Sequence, residues 1–248
     1  MRKICIINQK GGVGKTTTSV SLSTGLARKR KKVLLLDLDS QGNLSTCLGK
    51  TSEKTMYDLL INKIPVEECA AEVEKNLYVI SSDNKLAEAE GIMMGKPSRE
   101  KILTNRLDSL DEDDFDFVIM DCPPSISLLN QNALLFADEA LIPSSTESLS
   151  FVGLQKMIDL IDESNNTFDH DLMVSGILPT MFDKRNKICM QILTKMENEF
   201  NGMTLEPIRI NSKLVEAPGH SKSIFDYAKS SRGAHDYRKL VEFVLKND

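Results

Sequence analysis

The sequence predicts a doubly wound α/β fold, a mostly parallel sheet with helices on both faces, from three observations. Short aliphatic segments alternate along the chain with longer segments of helical periodicity. Most of the aliphatic segments are continuously apolar rather than alternating, which is typical of parallel strands covered on both faces. The chain contains no internal repeat and no Pro/Gly/Ser-rich linker. We therefore expect residues 1–248 to form a single domain.

The predicted elements follow one another as strand and helix, as in chains that build parallel sheets through helical crossovers. The predicted strands are residues 4–7, 33–38, 77–80, 115–120, 140–143, 174–178 and, on a weaker pattern, 205–210. The predicted helices are residues 16–29, 55–62, 85–94, 98–110, 126–137, 148–163, 187–200 and 232–246.

Composition excludes several classes of protein. Hydrophobic residues make up 41% of the chain and charged residues 27%, which is ordinary for a globular protein. No run of 18 apolar residues occurs and the N-terminal apolar stretch is short, so we expect a cytoplasmic protein. The net charge of −5 argues against a histone-like DNA binder. Residues 1–35 nevertheless contain nine Lys/Arg and no Asp/Glu, so a local basic face remains open.

A glycine-rich loop follows the first predicted strand and precedes the first predicted helix. Its sequence, KGGVGKTT at 10–17, lets successive backbone N–H groups point inward and bind phosphate at a helix N-terminus. Lys15 adds a cation for the β- and γ-phosphates of a nucleotide, and Thr16 offers a hydroxyl to Mg²⁺. Gln9 replaces the usual first glycine, and Lys10 is an additional lysine. The expected nucleotide contacts in the loop are Lys10, Gly11, Gly12, Val13, Gly14, Lys15, Thr16 and Thr17.

Two aspartates end the second predicted strand, in VLLLDLDSQGN at 33–43. The carboxyl end of a strand in an open α/β sheet is where ligands bind. Alternation along the strand is expected to point Asp37 and Asp39 to opposite faces, one towards a metal ion and the other towards a water molecule. The simpler interpretation is that both carboxylates cap a turn.

The segment FDFVIMDCPPS at 115–125 is typical of a strand that ends in a metal-binding carboxylate. Asp121 is expected to hold Mg²⁺ through water. Pro123 and Pro124 end the strand in a stiff turn, which suits a switch beside the γ-phosphate. The predicted metal ligands are therefore Thr16, Asp37 and Asp121.

The chain resembles, along essentially its whole length, the ParA/Soj family of deviant Walker A partition ATPases. The segments that carry this resemblance are NQKGGVGKTT at 8–17, LLLDLDSQGN at 34–43, DCPPS at 121–125, GILPTMFDKR at 176–185 and NSKLVEAPGHSKSI at 211–224.

The resemblance implies an ATPase that acts in plasmid or chromosome partitioning. It implies binding of ATP with Mg²⁺, a sandwich homodimer, nonspecific binding of double-stranded DNA at the nucleoid, and release through hydrolysis stimulated by a ParB-like partner. Lys10 occupies the position of the signature lysine that reaches the partner subunit's nucleotide. Asp39 occupies that of the acid that orients the attacking water. The implied catalytic residues are Lys10, Lys15 and Asp39.

Further residues are assigned through the resemblance alone. Met181 and Asn211 are expected near the adenine base, and the expected DNA contacts are Lys213, Lys222, Lys229 and Arg232. The sequence also departs from the family pattern. Ser40 stands where members usually have proline, and RINSKLVEAP replaces the common PRNVRLSEAP.

Three alternatives remain open at this stage. A MinD-like positioning ATPase would share the loop and act at a surface other than DNA, but the last predicted helix, 232–246, has the pattern of a core helix rather than of a membrane-binding tail. An iron–sulfur reductase would need subunit-bridging cysteines, which the position of Cys122 does not suggest. A small-molecule synthetase of the same loop class would need a substrate pocket that the sequence does not identify.

Overall fold

The computed structural model describes residues 1–125, 127–200 and 202–246. Its centre is a seven-stranded sheet in the order β3-β4-β2-β5-β1-β6-β7, parallel except for the antiparallel pair β3 and β4. The doubly wound, mostly parallel fold predicted from the sequence is therefore confirmed. The strands are β1 (Arg2–Ile6), β2 (Val33–Asp37), β3 (Ala71–Glu74), β4 (Leu77–Ile80), β5 (Phe117–Asp121), β6 (Glu139–Ser145) and β7 (Met173–Thr180).

Helices cover both faces of the sheet. The α-helices are α1 (Lys15–Arg28), α2 (Asn43–Leu48), α3 (Val66–Cys69), α4 (Lys85–Met94), α5 (Ile102–Leu107), α6 (Leu128–Phe136), α7 (Ser148–Phe168), α8 (Lys187–Glu199), α9 (Ser212–Gly219), α10 (Ile224–Tyr227) and α11 (Arg232–Lys246). A π-helical turn spans Asp58–Asn62 and a 3₁₀ turn spans Arg99–Lys101. One core cluster lies between the sheet and α4–α7, and a second lies between the sheet and α1, α10 and α11.

The central strands end at one level, and this positions the site. Ile6 and Asp37 are each the register partner of Asp121, so β1, β2 and β5 finish side by side. All five residues of both β2 and β5 are buried. Burial of nearly every side chain explains why β2 and β5 are apolar up to the aspartate that ends each strand.

The prediction of a strand at 205–210 was wrong. This segment runs beside β7 with separate hydrogen bonds, Leu205 N to Ile177 O at 2.8 Å and Ile208 N to Pro179 O at 2.8 Å. Pro207 has no N–H to donate, so a continuous ladder cannot form there. Among the described residues, the bridges found here are isolated ones, at Thr204 just before the segment and at Arg209 within it.

The other differences concern short or irregular elements. The predicted helix at 98–110 is a 3₁₀ turn followed by the short helix α5, and α7 continues five residues beyond its predicted end. The sequence did not predict β3, α2, α3, α9 or α10, which have four to eight residues each. Elements of this length show too few periods for a hydrophobic pattern to be recognised.

The last helix is a core helix, as predicted. Tyr237, Leu240, Val241 and Val244 are buried, and α11 packs against α1. Among the described residues, no helix combines the length and hydropathy that crossing a bilayer would require.

Candidate nucleotide-binding site

The loop between β1 and α1 curls in the way that the glycines predict. Gly12 and Gly14 have φ of +75° and +90°, in the left-handed region that glycine adopts without strain. The side chain of Asn8 accepts the backbone N–H of Lys10 at 2.9 Å. Thr180 Oγ1 donates to the carbonyl of Val13 at 2.8 Å, which ties the loop to the end of β7. These contacts fix a concave loop at the N-terminus of α1, where a phosphate is favoured.

Lys15 lies inside this loop. The residue is 7% exposed, and its Nζ donates to the carbonyl oxygen of Lys10 at 3.3 Å. Burial lowers the pKa of the Lys15 ammonium, and the nearby charge of Asp121 opposes this effect. A buried cation that donates to one backbone carbonyl is well placed to exchange that contact for phosphate oxygens.

Two buried carboxylates meet at the ends of β2 and β5. Asp121 Oδ1 accepts a hydrogen bond from Ser19 Oγ at 2.8 Å, and Thr16 also donates to the Asp121 carboxylate. Asp37 accepts the backbone N–H of Leu44 at 3.3 Å. Burial raises the pKa of Asp121 to about 6, and burial followed by the charge of Asp121 raises the pKa of Asp37 well above its ordinary value.

This pair fits a divalent cation. Two adjacent carboxylates in a dry environment repel each other and lose hydration, and a hard cation with oxygen ligands would relieve both costs. Thr16 stands at the start of α1 beside Asp121, so the three predicted metal ligands lie together.

The raised pKa of Asp121 predicts a pH-dependent stability. Between about pH 4 and pH 6 the unfolded chain releases this proton before the folded chain does, so the free energy of unfolding falls as pH rises. We expect Asp121→Asn to remove the cost of ionising this buried carboxyl group. The substitution should therefore stabilise the metal-free protein at pH 7.5 by up to about 3 kcal/mol. Urea unfolding in EDTA at pH 4 and pH 7.5 measures the effect. Equal stabilities at pH 7.5 would contradict it.

The two acids of the second strand diverge, but alternation along a strand is not the cause. Residues two apart in a strand share one face. Here β2 ends at Asp37, and Asp39 already lies in the following turn, half-buried, where its carboxylate accepts the N–H of Gln41 at 3.0 Å. Ser82 Oγ donates to the carbonyl oxygen of Asp39 and anchors this turn to the end of β4.

Lys10 is held within its own chain. Its Nζ lies 2.6 Å from Glu147 Oε2, 2.7 Å from Ser150 Oγ and 3.5 Å from Ser145 Oγ. The hydrogen bond from Lys10 lowers the pKa of Glu147. The Lys10 side chain is 34% exposed and that of Glu147 is 64% exposed, so this ion pair is at the surface and weak. A surface contact of this kind can be exchanged for a contact with another subunit.

A cavity of about 950 Å³ extends from Val13, Gly14 and Thr17 away from the phosphate loop. Its walls include Met181 and Asn211, the two residues predicted near the base. Met181 has a φ of +53°, and the side chain of Asn211 accepts the N–H of Lys213 and so caps α9. A mostly apolar cavity of this volume beside a phosphate loop suits a nucleotide base and ribose.

The four residues predicted to bind DNA differ in their surroundings. Lys213 is paired with Glu216 at 2.7 Å, within its own chain. Lys222, Lys229 and Arg232 are exposed. Arg232 lines a cleft of about 360 Å³ that the sequence did not reveal, because its other basic residues come from distant segments: Lys184, Arg185 and Arg209.

Several supporting residues escaped the sequence analysis. Glu147 and Ser150 contact Lys10 from the start of α7, Ser19 supports Asp121 from one turn inside α1, and Thr180 supports the loop from β7. Ser19 could have been inferred from its helical spacing after the loop. The others lie 130 or more residues away from their partners, and no local pattern marks them.

The fold and this site define a P-loop nucleotide-binding protein with a second lysine in the loop, the deviant Walker A type. A family model described as an AAA domain matches residues 1–174. The chain is 38% identical to the sporulation initiation inhibitor protein Soj of Bacillus subtilis, over 98% of each chain. It is 37% identical to the chromosome partitioning protein ParA of Myxococcus xanthus, covering all of this chain and 89% of that one. The chain belongs to the ParA/Soj family.

Solved structures share the fold. Cobyrinic acid a,c-diamide synthase of Mycobacterium smegmatis, crystallised with an ATP analogue and magnesium, superposes with a TM-score of 0.85 at 28% identity. The alignment covers 100% of this chain and 95% of that one. The fold is therefore shared by enzymes and by partition proteins, so the fold alone does not define the activity.

Proposed function

We propose that this protein is a partition ATPase that hydrolyses ATP with Mg²⁺ as a homodimer bound to DNA, and that a ParB-like partner stimulates hydrolysis and releases the DNA. The observation that carries the proposal is the phosphate loop with two lysines, one buried among the phosphate-binding N–H groups and one at the surface beside the cavity. Because Lys15 already supplies a cation inside the loop, the surface position of Lys10 suits contact with the nucleotide of a second subunit.

In the proposed reaction, Lys15 and the loop N–H groups bind the β- and γ-phosphates. Thr16, Asp37 and Asp121 would hold Mg²⁺, which when bound neutralises charge on those phosphates. Asp39, in the turn after β2, orients the attacking water. Lys10 stabilises the charge that develops on the partner subunit's nucleotide, and it must leave Glu147 to do so.

The proposed dimer interface is supported by exposed apolar side chains around the cavity. Ile188 and Val215 line the cavity and are 53% and 82% exposed. Leu149, in the first turn of α7 beside Glu147, is 81% exposed. An apolar rim around the nucleotide cavity, next to Lys10, suits burial against a second copy of the chain. Bound nucleotide would then lie between the two subunits.

The basic cleft supports DNA binding. Lys184, Arg185, Arg209 and Arg232 line it together with one acid, Asp183, which pairs with Arg185 at 2.8 Å. Arg209 is paired with Asp236 at 2.6 Å, so Lys184 and Arg232 provide the net positive charge. Contacts of this kind neutralise DNA phosphates without reading bases, and a dimer would present the cleft twice.

We expect Arg232→Ala to weaken DNA binding about tenfold or more, to a similar degree on unrelated sequences, and to reduce the salt dependence. The matched control is Lys239→Ala, which removes the same charge from α11 at a residue paired with Glu206 outside the cleft. Gel filtration and fluorescence anisotropy with ATP, with ADP and without nucleotide measure dimerisation and DNA binding together.

The same experiment separates the alternatives. Dimerisation and DNA binding that both require ATP support the partition proposal. Binding restricted to one sequence, or equal losses in the two variants, would contradict the role of the cleft. An ATP-dependent dimer that binds no DNA would favour a MinD-like ATPase acting at another surface, and a vesicle sedimentation assay would then identify that surface.

A further inference from the structure

Asn130 connects the turn after β5 to the first turn of α6. The residue is 4% exposed. Its Nδ2 donates to the carbonyl oxygen of Pro123 at 3.1 Å and also to the carbonyl oxygen of Ser125. Two backbone carbonyls of the turn at residues 121–125 are thus held by one side-chain amide. No motif in the sequence assigns a role to this residue.

The chemistry of this contact requires a side-chain NH₂ group. Two carbonyl oxygens need two donors, and the amide nitrogen of asparagine supplies both from a single atom. The opposite amide orientation would place Oδ1 against both carbonyls, so the hydrogen-bond pattern fixes the orientation. An aspartate of the same shape would accept where donation is needed, and it would repel both carbonyls.

The turn lies directly between the metal-binding acid and the phosphate loop. Asp121 is the last residue of β5 and the first of the turn. A β-carbon placed on Gly11 would lie only 3.9 Å from Cβ of Pro124. Movement of the turn would therefore shift Pro124 relative to the phosphate loop. Asp121 itself would stay in place, because β5 is paired with β1 and β2.

Helix α6, at the other end of the connection, is hydrogen-bonded to neighbouring elements. Leu128 N, at the start of α6, donates to Glu90 Oε1 of α4 at 2.5 Å. Asn132 accepts the N–H of Leu103 at 2.9 Å and donates to the carbonyl of Arg99 at 2.9 Å. Neighbouring helices thus fix α6, and Asn130 transmits this fixed position to the turn.

We propose that Asn130 is a positioning residue for ATP hydrolysis, which holds the turn at residues 121–125 against the phosphate loop. This inference rests on the hydrolysis proposed above. Nucleotide binding depends on the phosphate loop and on Lys15, neither of which Asn130 contacts. Loss of the Asn130 amide therefore lowers kcat and leaves the affinity for ATP nearly unchanged, because only the alignment of reacting groups is lost.

The test compares Asn130→Asp with the matched control Asn132→Asp. Both variants replace a buried amide that donates to two backbone carbonyls, but Asn132 bonds to Arg99 and Leu128 and not to the turn. We expect both to lower the melting temperature. Only Asn130→Asp should lower kcat, by about tenfold or more, with the Kd for ATP within about twofold of the unsubstituted protein. Asn130→Thr keeps one donor, so its kcat should lie between those of the unsubstituted protein and Asn130→Asp. It replaces Asn130→Asp in the comparison if the aspartate variant does not fold.

Hydrogen exchange of the peptide covering residues 121–127 provides a second measurement that needs no turnover. Faster exchange in Asn130→Asp than in Asn132→Asp supports the proposal that Asn130 holds the turn at residues 121–125. Equal exchange and equal kcat in the two variants would overturn the inference. If the unsubstituted protein hydrolyses no ATP with DNA present, the proposed function fails and exchange alone decides the role of Asn130 in holding the turn.

Discussion

Substitution of Lys15 by alanine is expected to abolish ATP binding, with a loss of affinity of at least about 100-fold. A charge-assisted hydrogen bond to phosphate contributes about 2–3 kcal/mol, and a buried cation is not replaced by solvent. The lysine also balances the charge of Asp121, so its removal leaves buried carboxylates at the site without their cation. Isothermal titration calorimetry with ATP and Mg²⁺ measures the loss.

The control for this experiment is Lys32→Ala. Lys32 immediately precedes the buried strand β2, near the rings of Phe115 and Tyr78 and at the opposite end of the sheet from the loop. This variant should bind ATP normally. Near-normal ATP affinity in Lys15→Ala, with an unchanged melting temperature, would refute the role assigned to the phosphate loop.

Substitution of Lys10 by alanine is expected to leave ATP binding by the monomer intact but to eliminate dimerisation, hydrolysis and DNA binding together. The physical reason is that Lys10 Nζ contacts Glu147, Ser145 and Ser150 rather than the phosphate-binding interior, which Lys15 already occupies. A cation supplied from one subunit to the other subunit's γ-phosphate contributes about 10³-fold or more to turnover in related phosphoryl transfers. Calorimetry, gel filtration, phosphate release and fluorescence anisotropy with DNA measure ATP binding, dimerisation, hydrolysis and DNA binding separately.

Glu147→Gln distinguishes a role between subunits from a role within one subunit. This variant removes the charge that holds Lys10 in its own chain but keeps the lysine. If Lys10 acts on the partner subunit, Glu147→Gln should retain basal hydrolysis and ATP-dependent dimerisation. If the ion pair itself were the functional contact, Glu147→Gln would reproduce the defects of Lys10→Ala. Normal dimerisation and turnover by Lys10→Ala would disprove the model of a lysine acting between subunits.

The surroundings of the site explain why some predictions from the sequence were accurate and others were not. The helix at 85–94 and the helix at 232–246 were predicted to the residue, because both have several turns of regular apolar spacing. The segment at 205–210 has three aliphatic residues among six, and its pairing depends on where Pro179 and Pro207 interrupt the hydrogen bonds with β7. Whether residues 205–210 form a strand therefore depends on β7 as well as on their own sequence.

The sequence by itself determined the sheet class, the phosphate loop and the acids at the strand ends, because each depends on residues adjacent in the chain. Glycine spacing sets the curl of the loop, and a continuous apolar strand places Asp37 or Asp121 at its end. Only the tertiary structure decided that Lys10 contacts Glu147, that Arg232 joins a cleft with Arg209, and that Asn130 holds the turn after β5. The first two contacts join segments that are distant in the chain, and the third depends on how α6 is held by its neighbours. All three contacts depend on chain topology and helix packing, which cannot be inferred from the spacing of residues along the chain.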